Sequence, residues 1–244
     1  MFYLSKKDIQ HKPVAVRDWG AYFDQQRDNI SNVVLKRFYS QPPPAPNADI
    51  SLVPLVALDL ETTGLNWRTD SIVSMGLVEF STRRIRLNSA RYWVVKPSTQ
   101  LKEQSILVHN LTHTEFGSAP SVSAILEKMI PLLAGKVVIA HHAAIERNFL
   151  LRSVMNAYHC EWYFPMIDTL KLERRLVFEE QPWWKRWLIS KQTSLQLRDC
   201  RARYGLPAYR QHHALNDAIA CAELFQAQIS YLGEHIPLAE LLDN

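Results

Sequence analysis

The sequence has few cysteines and no long apolar segment. Its three cysteines lie far apart in 244 residues and form no C-x-x-C pair, so neither a disulfide framework nor a cysteine-ligated zinc site is indicated. The longest apolar runs, such as residues 52–58, end far short of the roughly 18 residues that span a bilayer. Lys6 and Lys7 stand where the apolar core of a signal peptide would lie. These absences predict a cytoplasmic protein with no membrane association.

A strong excess of one charge is also missing. Lysine and arginine number 28 against 24 acidic residues, a formal net charge of +4, which permits a polyanionic partner without demanding one. Apolar residues are plentiful, because 47% of the chain is hydrophobic and 21% is charged. That balance excludes intrinsic disorder and predicts a sizeable core.

A proline-rich segment divides the chain. Residues 41–46 read Gln-Pro-Pro-Pro-Ala-Pro, which cannot lie inside a helix or sheet and is typical of a stiff linker. Before it, basic residues alternate with Trp19, Tyr22 and Phe23 and predict a pair of short amphipathic helices. We predict a small helical N-terminal extension with its linker over 1–46, a main domain over 50–235 and a C-terminal tail over 236–244.

Apolar periodicity predicts the elements of the main domain. Short apolar runs predict strands over 52–60, 71–80, 89–95, 137–140 and 162–167. Helical spacing predicts helices over 121–133, 143–158, 170–177, 195–204 and 214–232. The first three strands form a meander, and the later alternation of strand and helix implies partly parallel pairing. We therefore expect the α/β class, with a mixed sheet flanked by helices.

Two carboxylates follow the first apolar run. Asp59 and Glu61 are two residues apart on a predicted strand, so both side chains project from one face. Neighbouring anions repel each other and resist desolvation, so they need cations or protons nearby, and a hard divalent ion meets that need. A solvated strand end that enters a turn is the other interpretation of an isolated D-x-E.

Glu146 lies in the first turn of a helix that follows a predicted strand. Ligand sites of open α/β sheets gather beyond the carboxyl ends of strands, so Glu146 could reach the same cleft as Asp59 and Glu61. The helix dipole alone also favours an acid in a first turn. By itself, Glu146 therefore decides nothing.

A third group of polar residues starts the last predicted helix. Asp217 lies about 200° around the helix from Leu215 and Ile219, so we expect it to point away from the apolar stripe that these residues begin. His212 lies five residues earlier, where a mobile loop could carry its imidazole over the site. Taken singly, Asp217 could be a helix-start acid and His212 a surface histidine.

In this order and spacing, the three groups resemble the DEDDh branch of the DnaQ-like 3′ to 5′ exonuclease superfamily, which includes proofreading subunits of bacterial replicative polymerases. Its D-x-E-T-T-G-L motif is found at 59–65 and its H-x(4)-D motif at His212 and Asp217. Residues 108–112 look like its H-G-I-T segment, with Asn110 in place of glycine, and 166–170 match its D-T-L strand end. The resemblance covers residues 54 to about 232 and implies a ribonuclease H-like fold. The family's second acid is usually aspartate, and Glu146 holds that position here.

The resemblance implies two-metal phosphodiester hydrolysis with Mg²⁺ or Mn²⁺, ions that suit carboxylate ligands. Asp59 would bridge the two ions, Glu61 and Asp217 would complete the site, and Glu146 would support it through water. His212 is implied as the general base, a role that suits histidine near neutral pH. The implied catalytic residues are His212, Glu61 and Glu146. The expected products are nucleoside 5′-monophosphates released one at a time from a 3′ end.

The resemblance also implies how substrate is held. The predicted substrate-binding residues are Leu60, Thr62, Thr63, Gly64, His109, Leu111 and Thr112. The expected substrate is the 3′ end of single-stranded DNA or RNA, with DNA favoured, and a polymerase or other protein partner is expected through residues 1–46. Residues 183–187 interleave tryptophan with basic residues, a composition suited to base stacking, to covering the core or to meeting a protein.

A second hypothesis comes from another functional class. On the same fold, the chain could be a catalytically weak nucleic-acid-binding or polymerase-associated module. The glutamate at position 146 favours this alternative. The joint presence of Asp59, Glu61, Asp217 and His212 favours the enzyme.

Overall fold

The computed structural model describes residues 16, 18–97, 118–179, 193–233 and 235–243. The helices are α1 (Trp19–Asn29), α2 (Val33–Tyr39), α3 (Val122–Leu133), α4 (Ala144–Tyr158), α5 (Thr169–Arg174), α6 (Leu197–Arg203) and α7 (Ala214–Leu232). The strands are β1 (Leu55–Thr62), β2 (Ile72–Phe80), β3 (Arg91–Val94), β4 (Val137–Ala140) and β5 (Met166–Asp168). Short 3₁₀ turns at Ile50–Leu52, Leu87–Ser89 and Leu238–Glu240, and a π turn at Arg175–Glu179, complete the elements.

The five strands form one mixed sheet in the order β3-β2-β1-β4-β5. β2 is antiparallel to both β1 and β3, whereas β4 is parallel to both β1 and β5. The predicted meander and the predicted parallel pairing are both confirmed. So is the α/β class with a mixed sheet flanked by helices.

β1 separates two hydrophobic layers because its side chains alternate between faces. Val56 and Leu58 join the layer that contains α3 and α4. Leu55 and Ala57 join the layer that contains α7. Asp59 and Glu61 continue the second set, so the strand directs both carboxylates toward the side of the sheet that α7 covers.

Several predicted boundaries are displaced for identifiable reasons. β1 begins at Leu55 rather than at 52, since Pro54 has no N–H to give to a strand ladder. β5 runs from Met166 to Asp168, so only residues 166–167 of the predicted 162–167 lie in the strand, because Trp162 packs among aromatic rings instead. α6 begins at Leu197 after the N-cap Gln196 rather than at 195.

The two predicted N-terminal helices are present as α1 and α2. Their aromatic rings pack against aromatic rings of the segment that precedes β5. We call these rings together the aromatic cluster. It consists of Trp19, Tyr22, Phe23, Phe38, Tyr39, Trp162, Tyr163 and Phe164. The rings of Phe38 and Trp162 are 5.4 Å apart and nearly perpendicular, at 78°. The domain boundaries stay a prediction, and the extension and the main domain share one hydrophobic layer across them.

The C-terminal residues return to the sheet. The Asp243 N–H donates to the Met166 carbonyl of β5 over 2.8 Å, and its carboxylate lies 3.0 Å from the Arg147 guanidinium. Within the described ranges, we find no helix that is long and apolar enough to span a membrane.

Candidate active site

Asp59 and Glu61 lie near the carboxyl end of β1. Asp59 is opposite Gly76 of β2, and Glu61 is opposite Ser74. Opposite residues of a strand pair share a face, so Gly76 lies beside Asp59 on the side that faces α7.

Gly76 lets α7 approach the sheet at backbone distance. A Cβ atom at this position would lie 2.3 Å from both the Ala214 carbonyl carbon and the Leu215 nitrogen. Such a contact is far inside van der Waals distance, so no other residue type fits without displacing the start of α7. The glycine thereby brings the first turn of α7, with Asp217, up to Asp59.

The result is a group of three carboxylates, Asp59, Glu61 and Asp217, which we call the acidic cluster. One oxygen from each residue lies within 4.8 Å of the others. Burial raises the pKa of Asp59 well above its usual range, and repulsion from Asp217, Glu61 and Glu146 raises it further. Because these anions oppose one another's ionisation, the cluster fits a hard divalent cation, which would relieve that repulsion.

Asp217 is more buried than its helical position predicts. The predicted apolar stripe is wrong at its start, since Leu215 and Ile219 are only partly buried. Ala214, Ala218 and Asp217 are buried instead, and Asp217 is 8% exposed. The reason is that the backbone of α7 lies against Gly76 of β2. At so short a distance, small side chains of the helix fit between helix and sheet and large ones do not. Burial raises the pKa of Asp217. Hydrogen bonds from Tyr209 and from the His213 N–H partly oppose this rise.

His212 is exposed and directly precedes the N-cap of α7. Its φ of +62° lies in the left-handed region, which is uncommon for a residue with a Cβ and concentrates at functional sites. Burial raises the pKa of Asp217, and the proximity of His212 partly opposes that rise. The segment before α7 is anchored rather than free, because Asn216 Nδ2 donates to the Arg210 carbonyl over 3.2 Å.

Glu146 lies in the first turn of α4, as predicted, but it is not in the group of three. It is 3% exposed, and its Oε2 has no hydrogen-bond partner among the residues that the structure describes. Burial raises its pKa well above the usual range, and repulsion from Asp168 and Glu61 adds to that effect. Glu146 therefore interacts electrostatically with the acidic cluster from a more enclosed position.

Sequence reasoning gave Asp168, Tyr209 and Gly76 no individual role. Asp168 caps α5, accepting from the N–H groups of Leu170 and His142 at 2.9 Å each. Tyr209 lies in a loop eight positions before Asp217, where no pattern distinguishes it. Gly76 lies within the predicted strand over 71–80, yet its importance depends on the β1–β2 register.

The predicted substrate-binding residues fall into three groups. Leu60 is buried on the opposite face of β1. Thr62, Thr63 and Gly64 build the turn after β1, where the Thr62 hydroxyl donates to the Gly64 carbonyl over 2.7 Å and Thr63 Oγ1 accepts from the Ser71 N–H over 2.9 Å. His109, Leu111 and Thr112 lie outside the described residues, as do the tryptophans of 183–187. Their role in binding stays a prediction.

A protein-family model supplies the decisive comparison. The model described as RNase T, exonuclease, matches residues 56–225, a span that contains the acidic cluster, Glu146 and His212. The chain belongs to this exonuclease family. The membership confirms the predicted superfamily of DnaQ-like 3′ to 5′ exonucleases and the predicted enzyme class. The family uses divalent metals, in agreement with the chemistry of the acidic cluster.

Relatives from bacteria share the domain but are much longer. A DNA polymerase III PolC-type protein of Thermotoga petrophila is 28% identical over 170 residues, which cover 70% of this chain and 11% of the relative. A DNA polymerase III subunit epsilon-like protein of Rhodobacter capsulatus is 27% identical over 171 residues, 70% of this chain and 23% of the relative. The chain thus matches about a tenth to a quarter of the length of these curated relatives.

A solved structure shares the architecture. The nuclease domain of 3′hExo, a DEDDh family member bound to rAMP, has a TM-score of 0.61 and 17% identity, covering 81% of this chain and 99% of that one. This likeness confirms the predicted ribonuclease H-like fold.

Proposed function

We propose that this exonuclease removes nucleoside 5′-monophosphates from the 3′ end of single-stranded nucleic acid in a metal-dependent reaction. The observation that carries the proposal is the acidic cluster, whose three carboxylates come from β1 and α7 and lie within 4.8 Å of one another. So many close anions destabilise a fold unless a cation joins them.

Asp59, Glu61 and Asp217 would hold Mg²⁺ or Mn²⁺, with Glu146 in support from its buried position. Two such ions would supply a nucleophile near neutral pH and neutralise the charge that develops on the phosphate. His212, exposed beside Asp217, would accept the proton of the attacking water. The Leu60 backbone and the 62–64 turn, with His109, Leu111 and Thr112, would hold the terminal nucleotide.

DNA is the favoured substrate because the bacterial relatives are DNA polymerase III proteins by name. Structural neighbours were solved with DNA and with a ribonucleotide, since Exonuclease X was solved with 5′ overhanging duplex DNA and 3′hExo with rAMP. A cytoplasmic location and a polymerase or other partner at residues 1–46 belong to the same proposal. The described rings of that extension face inward, so its helix surfaces and not the aromatic cluster would meet a partner.

A catalytically weak nucleic-acid-binding module is the second candidate. The position of Glu146 outside the group of three is the observation that favours it. Turnover distinguishes the two candidates.

The test uses 3′-labelled single-stranded DNA and RNA of one sequence. Mg²⁺ or Mn²⁺ should support release of mononucleotides, and EDTA should abolish it. Asp59→Ala should lose activity by at least about two orders of magnitude, the scale seen when a group that stabilises transition-state charge is removed. Asp24→Ala, on the exposed surface of α1, is the matched control and should behave as wild type. Full activity in EDTA would exclude the two-metal mechanism.

A further inference from the structure

A buried arginine anchors the loop that leads into the active site. Arg201 of α6 is 2% exposed. Its Nη1 donates to the Ala220 carbonyl over 2.8 Å and lies 2.6 Å from a Glu223 carboxylate oxygen, so it is tied to α7. Its Nη2 donates to the Pro207 carbonyl over 3.0 Å. A buried guanidinium is tolerated only with such partners, and these partners fix the 204–213 loop to both helices.

The same arginine contacts Tyr209. The guanidinium carbon lies 4.9 Å from the centre of the Tyr209 ring, within the range of a cation–π interaction. At its other end, the Tyr209 hydroxyl lies within hydrogen-bonding reach of the Asp217 carboxylate. A phenol is protonated near neutral pH, so the Tyr209 hydroxyl serves as the donor.

A second donor reaches the same carboxylate. The His213 N–H donates to Asp217 Oδ2 over 3.0 Å, and the His213 ring stacks on Tyr92 of β3 with centroids 4.3 Å apart. An ionised carboxylate has about four acceptor positions. Two donors therefore orient Asp217 and leave acceptor positions for a cation.

We propose that Tyr209 is a positioning residue of this active site: its hydroxyl holds the Asp217 carboxylate in the orientation that completes the acidic cluster, and Arg201 holds Tyr209. The inference rests on the proposed function, because the cluster needs that orientation only if it binds ions. Groups that orient a ligand from behind it typically contribute roughly 10–100-fold to metal affinity or activity.

The experiment measures Mn²⁺ binding by calorimetry for wild type, Tyr209→Phe and Tyr204→Phe. The Tyr204 hydroxyl donates to Glu173 Oε2 over 3.0 Å, away from the acidic cluster, so Tyr204→Phe removes the same kind of bond elsewhere. Tyr209→Phe should bind Mn²⁺ at least about tenfold more weakly, and Tyr204→Phe should bind as wild type does. High Mn²⁺ should restore most of the turnover of Tyr209→Phe, since the groups that touch substrate remain.

A double-mutant cycle in EDTA tests the hydrogen bond without metal. Tyr209→Phe and Asp217→Ala should change the unfolding midpoint non-additively, and strict additivity would overturn the inference. If wild type binds Mn²⁺ and Tyr209→Phe binds it equally well or more tightly, the inference about Tyr209 is overturned and the proposed function is not. A wild-type protein that binds no Mn²⁺ and releases no nucleotide would overturn the proposed function and this inference with it.

Discussion

The acidic cluster and the aromatic cluster are assembled by opposite physical rules. The acidic cluster crowds like charges, so that burial and repulsion raise the pKa of Asp59. The aromatic cluster buries large rings in edge-to-face contacts, and Phe38 and Trp162 are almost fully buried. The charged groups of the site and the contacts that stabilise the fold therefore lie in different places on this chain. Substitutions in the two clusters should therefore have separable effects.

The largest separation is expected at His212. His212→Ala should lower kcat by about 10²–10⁴-fold, the usual contribution of a general base, while KM and the thermal midpoint change little because the side chain is exposed. Steady-state kinetics and thermal unfolding measure the two effects. His235→Ala, at an exposed histidine beside Asp49, is the control. A defect in KM alone would assign His212 to substrate binding.

The converse is expected at Phe38. Phe38→Ala should lower the free energy of unfolding by about 3–5 kcal/mol, as is typical when a buried ring is truncated. Denaturant unfolding measures the loss, and turnover of a dinucleotide at a temperature where the variant is folded should be nearly unchanged. Val33→Ala on the exposed side of α2 is the matched control, since Val33 is 62% exposed. Lost turnover by folded Phe38→Ala would mean that the extension helps to build the active site.

Substitutions at Glu146 test whether its carboxylate acts together with the acidic cluster in turnover. If its carboxylate supports the ions, Glu146→Gln should reduce turnover by roughly 10–100-fold, and Glu146→Asp should retain much of it. Glu127→Gln, on the exposed face of α3, controls for loss of a helix-surface charge. If Glu146→Gln has the kinetics of wild type, Glu146 has no role in turnover and is only an acid in the first turn of α4.

The smallest effect is a dependence of stability on pH. A carboxyl whose folded-state pKa is raised binds protons more tightly when folded, so its ionisation destabilises the fold as pH rises above the unfolded value of about 3.9. Burial raises the pKa of Asp59 in this way. In EDTA, Asp59→Asn should therefore raise the thermal midpoint at pH 8, and the gain should shrink toward pH 4. About 1 kcal/mol moves the midpoint of a domain of this size by roughly 2–4 °C. An equal gain at both pH values would contradict the assignment.

Much of the fold follows from local patterns. Helix α7 occupies the predicted range 214–232, and β4 coincides with the predicted 137–140 strand. Predictions were less accurate where tertiary contacts compete with propensity. The apolar run 162–167 predicts a strand. Trp162 and Phe164 pack in the aromatic cluster instead, so that only Met166–Asp168 joins the sheet.

The acid types, their order and the family follow from local patterns, because the spacing of Asp59, Glu61, His212 and Asp217 is a local property of two short segments. Which carboxylates lie close together depends on how distant segments pack. Asp59 and Asp217 are far apart in the chain, and their approach depends on a strand register that places Gly76 opposite Asp59 and lets the backbone of α7 come close. The same packing excludes Glu146 from the group of three and brings Tyr209 to Asp217. Contacts between distant segments depend on the packing of whole elements, which no local pattern encodes.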